Sequence, residues 1–414
     1  MNRITFFLFA ISIYFLLDYY IFQALKVVVE STFPNQSKLI YIVYWSFTLL
    51  SLIGLLMFNM LDSVKYGTQR SFIMSAIIIN FSAKLFSFLF VATDDIRRAG
   101  FWVYHQLFND QELSENTGTG ISRSEFLSKS AIIAGAVPIG VFSFGIISGA
   151  YDYRVRKKSI ILPNLPSAFD GIRIAQLSDI HSGSFYNKTA VKGGVDMLMA
   201  EKPDVVFFTG DLVNNHSSEV KDYLQIFEKV KAPLGVFSIL GNHDYGDYAS
   251  WNSSQEKKQN LLNLIDSHKS MGWDILLNEN RYLETSGEKI GIIGVENWGA
   301  RGFTKYGDLN KAYSNIEADT KILLSHDPSH WDAQVRPNYS DIDLTLSGHT
   351  HGFQFGVEIG NFRWSPSQWI YKQWADLYQE QNQYLYVNRG FGFLGYPGRI
   401  GILPEITILE LKKA

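Results

Sequence analysis

Residues 172–181 read Ile172-Arg173-Ile174-Ala175-Gln176-Leu177-Ser178-Asp179-Ile180-His181, an apolar run of strand length that ends in two side chains able to hold a metal ion. A nearly continuous apolar run of this kind fits a strand covered on both faces. Asp179 and His181, two apart, point the same way in extended chain and can serve one ion. Downstream the pattern recurs. Apolar runs at 205–209, 235–240, 321–325 and 344–347 lead into Gly210-Asp211, Gly241-Asn242-His243-Asp244, Ser325-His326-Asp327 and Gly348-His349-Thr350-His351. Further candidate strands cover 289–295, 384–388 and 406–411, and helical stretches cover 188–200 and 219–230. Strands interleaved with helices predict an α/β layered domain. In such sheets the crevice beyond the carboxyl ends of the strands binds ligands, and loops from separate strands can converge there. Glycines 210, 241 and 348 permit sharp exits from the strands.

Taken singly, an Asp-x-His or a Gly-Asn-His-Asp is more often a turn than a site. Five of the nine histidines nevertheless fall in these strand-end motifs, beside carboxylate and amide donors. The chain has no cysteine, which excludes disulfides, thiolate metal sites and cysteine nucleophiles. A donor set of nitrogen and oxygen suits Mn, Fe or Zn better than Ca, whose ligands are all oxygen. Net charge is −3, so the basic footprint of a nucleic-acid binder is absent and no nucleic-acid partner is expected.

The first 150 residues belong to a different solvent. Four uncharged or nearly uncharged runs, 4–29, 39–61, 72–92 and 131–150, each reach the ~20 residues that cross a bilayer. The expected organisation is a transmembrane helical region at 1–150, a linker at 151–171 with Pro163 and Pro166, and a catalytic domain at 172–414. Arg3, Lys65, Arg70 and the cluster Arg154, Arg156, Lys157 and Lys158 fall on one side, against Lys38, Arg97, Arg98, Arg123 and Lys129 on the other. That asymmetry favours a cytoplasmic over a periplasmic catalytic domain. Ser122-Arg123-Ser124-Glu125-Phe126-Leu127, similar to a twin-arginine export signal with one arginine missing, points the other way. Asp18 and Lys84 lie inside apolar runs; Asp18, beside Tyr19 and Tyr20, is expected at the interface, and Lys84 is expected to snorkel or to pair with a neighbouring helix.

The ordered set D-x-H, GD, GNH-D, H and GHxH resembles the calcineurin-like metallophosphoesterase family, from about residue 172 to the C-terminus. Arg389-Gly390-Phe391-Gly392, Pro397, Arg399 and Pro404-Glu405-Ile406 are similar to the ending of its membrane-associated bacterial phosphohydrolase branch, which implies a bacterial inner membrane. The resemblance implies a four-layer α/β/β/α sandwich and two divalent metal ions. Asp179, His181 and His351 would hold one ion, Asn242, His326 and His349 the other, and Asp211 would bridge them. His243 would face the substrate phosphate as general acid or electrostatic stabiliser, with Asp244 as its orienting carboxylate. The implied reaction is hydrolysis of a phosphoester or pyrophosphate on a phosphorylated small-molecule or lipid-linked substrate, such as UDP-diacylglucosamine, with membrane lipid as a partner. Two other readings compete. A membrane sensor without turnover would lack a ligand, and none is missing; a nuclease fits poorly with the neutral charge and the tether. Asn214 departs from the family, where many members carry an acid. Arg389 and Arg399 are candidates for binding substrate phosphate or for structural pairing. The insertion 245–260, with Trp251, is a candidate cap over the metals. Trp298, Trp331, Trp364, Trp369 and Trp374 are expected to pack rather than to bind substrate.

Overall fold

The computed structural model describes residues 3–62, 66–108, 123–360 and 362–414, so Lys65 and Ser122 lie outside the described residues. The chain divides into two units, Met1–Phe144 and Gly145–Ala414.

The first unit is helical. Helices α1 (Arg3–Thr32), α2 (Ser37–Met60), α3 (Gly67–Phe108) and α4 (Arg123–Ile147) match the four expected spans in number and order, and each is long and apolar enough to cross a membrane. Leu16, Ile42, Phe47 and Leu50 are exposed on these helices, as lipid-facing positions would be. Asp18 and Lys84 do not snorkel: they are buried and paired with each other. Tyr44 donates to the Asp18 carbonyl at 2.9 Å, and Lys84 Nζ and Asn80 Nδ2 lie 2.9 and 2.7 Å from the Tyr14 hydroxyl. Pairing is the only inexpensive way to bury both charges.

The second unit begins with β1 (Arg154–Leu162), β2 (Arg173–Leu177), α5 (Lys188–Ala200), β3 (Val205–Phe208), α6 (Leu224–Phe227), β4 (Val236–Ser238), α7 (Ser254–Ser270) and β5 (Asp274–Ile275). There follow β6 (Glu279–Thr285), β7 (Glu288–Gly294), α8 (Leu309–Tyr313), β8 (Lys321–Leu324), α9 (Arg336–Asn338), β9 (Leu344–Ser347), β10 (Val357–Ile359), β11 (Phe362–Trp364), β12 (Asp376–Glu380), β13 (Gln383–Val387) and β14 (Glu405–Lys413). Two six-stranded sheets form, in the orders β1-β14-β2-β3-β4-β5 and β12-β13-β9-β8-β7-β6. Their central strands β2, β3, β4 and β7, β8, β9, β13 run parallel.

Period-two alternation explains the layers. Ile174, Val205 and Phe207 of the first sheet pack against Ile322, Leu324, Leu344 and Leu346 of the second, in one buried core. Their neighbours Ala175, Leu177, Val206 and Phe208 point outward onto Val191, Val195 and Leu198 of α5 and Leu264 of α7. On the far side, Ile293, Leu323 and Leu385 pack on Leu309 and Ala312 of α8 and on Trp331. The result is the expected α/β/β/α sandwich.

Two local expectations are corrected and a third is narrowed to one residue. The linker placed at 151–171 contains β1, an edge strand parallel to β14. Its Arg154, Arg156, Lys157 and Lys158 hide the pattern, because each pairs with a carboxylate while Ile160 and Leu162 enter the core between the sheets. The helix expected at 219–230 opens as a 3-10 turn, Ser217–Tyr223, in which Glu219 accepts from the backbone N–H groups of Asn214, Asn215 and His216, and continues as α6 only to Phe227. Within the insertion at 245–260, Trp251 packs on His216 and donates to the Gly246 carbonyl, whereas Tyr248 reaches Asn242 and the His243 ring, and α7 starts at Ser254.

Truncating a side chain between the sheets removes packing that cannot relax. Phe207→Ala is expected to cost about 3–5 kcal/mol, seen as a lowered melting transition of the detergent-solubilised protein. Lys289→Ala, on the surface of the second sheet, should leave that transition in place.

Candidate metal centre

The seven expected ligands, scattered over 173 residues of sequence from Asp179 to His351, meet at the carboxyl ends of β2, β3, β4, β8 and β9. Two groups of ligand atoms form: Asp179, His181 and His351, and Asp211, His326 and His349. In the first, His181 Nε2 lies 3.1 Å from His351 Nε2, which lies 3.2 Å from Asp179 Oδ1. In the second, His326 Nε2 lies 3.1 Å from Asp211 Oδ2 and 3.3 Å from His349 Nδ1. Asn242 Oδ1 joins this group, 2.8 Å from His349 Nδ1 and 3.2 Å from His326 Nε2. Asp211 Oδ2 is also 3.5 Å from His181 Nε2, so one carboxylate oxygen faces both groups.

The backbone is bent to achieve this. Asp179, His181, Asp211, His349 and His351 all have left-handed φ, between 48° and 70°. Such residues cost roughly 1–3 kcal/mol each and persist only where the surroundings fix them. Gly210, at φ 95°, could not carry a side chain: a Cβ there would lie 2.5 Å from Gly241 N.

Outward hydrogen bonds set the ring orientations. His181 Nδ1 lies 3.0 Å from Asn214 Oδ1 and His326 Nδ1 2.7 Å from the Thr209 carbonyl, so each donates there and turns its Nε2 inward. His349 presents Nδ1 inward, with Nε2 2.8 Å from the Tyr371 hydroxyl. Asn242 gives its amide N–H to the Tyr248 hydroxyl at 2.9 Å, which turns its oxygen inward. His351 differs, because its Nδ1 lies 3.1 Å from Arg399 Nη2. A lone pair on the inward Nε2 requires that guanidinium to lean onto the Gly390 and Gly392 carbonyls, already 3.2 and 2.5 Å away.

Asp244 is not the partner of His243. Its carboxylate accepts from the backbone N–H of Asp211, Gly241, Leu212 and Val213 at 2.9 to 3.2 Å, tying the Gly-Asp loop to the Gly-Asn-His-Asp loop. Burial and the Asp211 charge push its carboxyl up to about 7 despite those donors. The orienting contact of His243 is instead from Nδ1 to the Asn214 carbonyl, at 2.8 Å. Asn214 therefore positions His181 with its side chain and His243 with its backbone.

The two arginines also resolve. Arg389 is buried against Glu405 at 2.6 Å and Glu358 at 2.6 Å, and Arg399 is buried against backbone carbonyls; neither lines the cavity over the metal ligands. That cavity, about 680 Å³, is lined by His181, Asp211, Asn242, His243, His349 and His351 together with Arg301, Phe303, Phe353, Ile370, Tyr371 and Tyr396. Arg301 and Tyr371 carry no motif and sit far from the ligands in sequence. Trp331 and Trp374 are core residues, as expected, but Trp369 is exposed.

The charge state fits a divalent ion. Burial pushes the imidazoles of His181, His349 and His351 below their ordinary range. Although burial opposes it, His351 holds Asp179, and His326 holds Asp211, below the ordinary carboxylate range. His326 is the exception: against the cost of burial, Asp211 and Asp179 raise it to about 10. At neutral pH its Nε2 carries a proton that an ion bound there must displace. Between roughly pH 7 and 9, affinity at this group should rise about tenfold per pH unit and level off above His326's own range, whereas the group around His181 should be flat. Calorimetry in two buffers of different ionisation enthalpy measures the released proton; no release would contradict the assignment. Asn214→Ala, which frees His181 but keeps the backbone carbonyl that holds His243, should weaken metal binding about 10–100-fold.

Residues 172–353 match the family described as calcineurin-like phosphoesterase, and residues 2–150 the family described as probable calcineurin-like phosphoesterase, transmembrane domain. The chain is 28% identical over 309 residues to the uncharacterized metallophosphoesterase YkuE of Bacillus subtilis, covering 70% of this chain and 98% of that protein. It is 30% identical over 282 residues to a Danio rerio transmembrane protein with metallophosphoesterase domain, covering 66% of this chain and 60% of that one. Among solved structures, a Thermus thermophilus sulfate thiohydrolase, SoxB, is similar with a TM-score of 0.33 at 12% identity, over 60% of this chain and 57% of the other. The chain carries a calcineurin-like phosphoesterase domain preceded by the four-helix transmembrane domain of such phosphoesterases, and is an integral membrane protein.

Proposed function

We propose that the second unit hydrolyses a phosphoester or pyrophosphate with two divalent metal ions. One observation carries this reading: a single carboxylate oxygen of Asp211 faces two complete groups of nitrogen and oxygen donors. Bound ions, of Mn, Fe or Zn, would supply a nucleophile from water at neutral pH and neutralise the phosphoryl oxygens. Asp179, His181 and His351 would hold one, Asn242, His326 and His349 the other, and Asp211 would contact both. Among the protein's own groups, His243 has Nδ1 committed to Asn214, so it gives or takes a proton at Nε2, on a residue that lines the cavity. Asp211 Oδ1 accepts the His243 backbone N–H at 2.8 Å and so keeps that imidazole beside the ligand set.

The substrate carries its phosphate on a small molecule or a lipid. Two observations favour a lipid: the four spans tether the domain to a bilayer, and Phe303, Phe353, Ile370 and Tyr396 give the cavity apolar walls. Nothing among the described residues selects a nucleotide-linked lipid such as UDP-diacylglucosamine. Charge asymmetry about the spans favours a cytoplasmic domain at a bacterial inner membrane, which a reporter fused after Ala414 would test.

Asp211→Asn keeps the hydrogen bond to His243 but removes the shared charge. It should abolish hydrolysis of bis-p-nitrophenyl phosphate with the fold intact by circular dichroism, and lower the metal content. His243→Ala should retain both ions by elemental analysis yet lose about 10²–10⁴ in rate. Full activity of the Asp211 variant would refute the assignment.

A further inference from the structure

The hairpin β10–β11 is inside out. Glu358, in its first strand, turns toward the protein and pairs with Arg389 and Arg156, and Arg363, opposite it in register, pairs with Asp376 at 3.0 Å. The alternate residues Val357, Ile359 and Phe362 face outward, and Ile359 and Phe362 are 72% and 63% exposed. A hairpin at a water-facing rim places its polar side outward. Here the ionic side is inward and the apolar side is presented to the surroundings.

The patch continues beyond the hairpin. Trp369, 72% exposed, stands edge-on to Trp364 with centroids 5.8 Å apart, and Phe353, Phe355 and Ile370 are exposed beside it. Among the described residues of this unit, most of the exposed large apolar side chains lie between positions 353 and 370. Concentration of this kind marks an interaction surface rather than ordinary scatter. Phe353 and Ile370 also line the cavity over the metal ligands, so the apolar surface runs into the site.

Lipid is the occupant that the surrounding structure favours. The root of the hairpin is fixed to residues 396–400: Phe355 bridges Ile400, and Gln354 Nε2 donates to the Tyr396 and Gly398 carbonyls at 3.0 and 3.1 Å. The same segment receives the end of the fourth apolar run, since Arg399 N donates to the Gly145 carbonyl at 3.1 Å, within this unit. Residues 145–150, the end of that run, thus lie on the segment that carries the hairpin. Paired tryptophans on an apolar edge are the composition of the membrane–water boundary. A tether makes even a small apolar area sufficient, because insertion is intramolecular.

We propose that β10–β11 and the turn around Trp369 insert into the bilayer surface as the rim of the metal cavity, so that the site takes the phosphate of a bilayer-resident amphiphile. This rests on the phosphohydrolase reading and extends it to a substrate class and a route of entry. Apolar chains lie along Phe353 and Ile370 while the phosphate reaches the ligand set.

The absence of cysteine allows a single label in the full-length protein. Ile359→Cys and Trp369→Cys, each carrying bimane, would be reconstituted in phosphatidylcholine vesicles with brominated acyl chains; Leu262→Cys, an exposed apolar position on α7, is the control. Quenching by lipid bromine and protection from iodide at 359 and 369, with the reverse at 262, is expected. Equal iodide access at all three would overturn the proposal. In a second assay, Ile359→Asp/Phe362→Asp should hydrolyse bis-p-nitrophenyl phosphate at the unaltered rate but lose about tenfold or more on phosphatidic acid or a polyprenyl pyrophosphate in the same vesicles. If the unaltered protein hydrolyses the soluble ester and neither lipid, the substrate class is wrong; if it hydrolyses none of them with metals bound, the phosphohydrolase reading itself fails.

Discussion

Four backbone N–H groups, from Asp211, Leu212, Val213 and Gly241, converge on the carboxylate of Asp244. That buried clamp joins the loops after β3 and β4, and the geometry of the site depends on it. Asp211 faces two groups of donors from a backbone held in a left-handed conformation. Similar restraints act on the other bent ligands: Asp179 N donates to the Gly210 carbonyl at 2.9 Å, His181 N to the Asp211 carbonyl at 3.0 Å, and His349 N to both oxygens of Asp179 at 3.0 Å. The strain is distributed over loops that brace one another. Bound ions would add to the stability of the folded state by binding it and not the unfolded chain.

Much of this was legible in the sequence, and the reason is chemical. Histidine, aspartate and asparagine at the ends of apolar runs are costly choices unless they ligate something, so the seven ligands stand out. Outer contacts give no such signal. Tyr248 and Tyr371 orient Asn242 and His349 through ordinary phenol hydrogen bonds, from positions that an apolar pattern reads as packing. Asp244 sits next to His243 in the chain, which suggests a pair, yet the turn that carries them sends the two side chains to different partners. Only the folded backbone reveals that.

The edges of the fold were hidden for another reason. Strand β1 reads as linker because its basic residues are an edge strand's defence against further pairing, each answered by a carboxylate elsewhere in the unit. Arg389 reads equally well as a phosphate ligand or a structural cation. It is the latter, since Glu405 on β14 and Glu358 on β10 leave its guanidinium no reach toward the cavity. Tyr386 closes the same cluster by donating to Glu405 at 2.6 Å across the two sheets.

That ionic cluster links the sandwich to its rim. Glu358 is held by Arg389 from β13's exit and by Arg156 from β1, so the hairpin cannot turn over to bury Ile359 and Phe362 without leaving both guanidinium groups on the one buried carboxylate of Glu405. Leaving a buried charge unpaired costs several kcal/mol, more than a few exposed apolar side chains would recover by turning inward. The outward apolar face is therefore imposed by the interior of the protein. A polar solvent offers no compensation for that arrangement; an apolar one does, and the four spans guarantee that such a phase is always within reach of this chain.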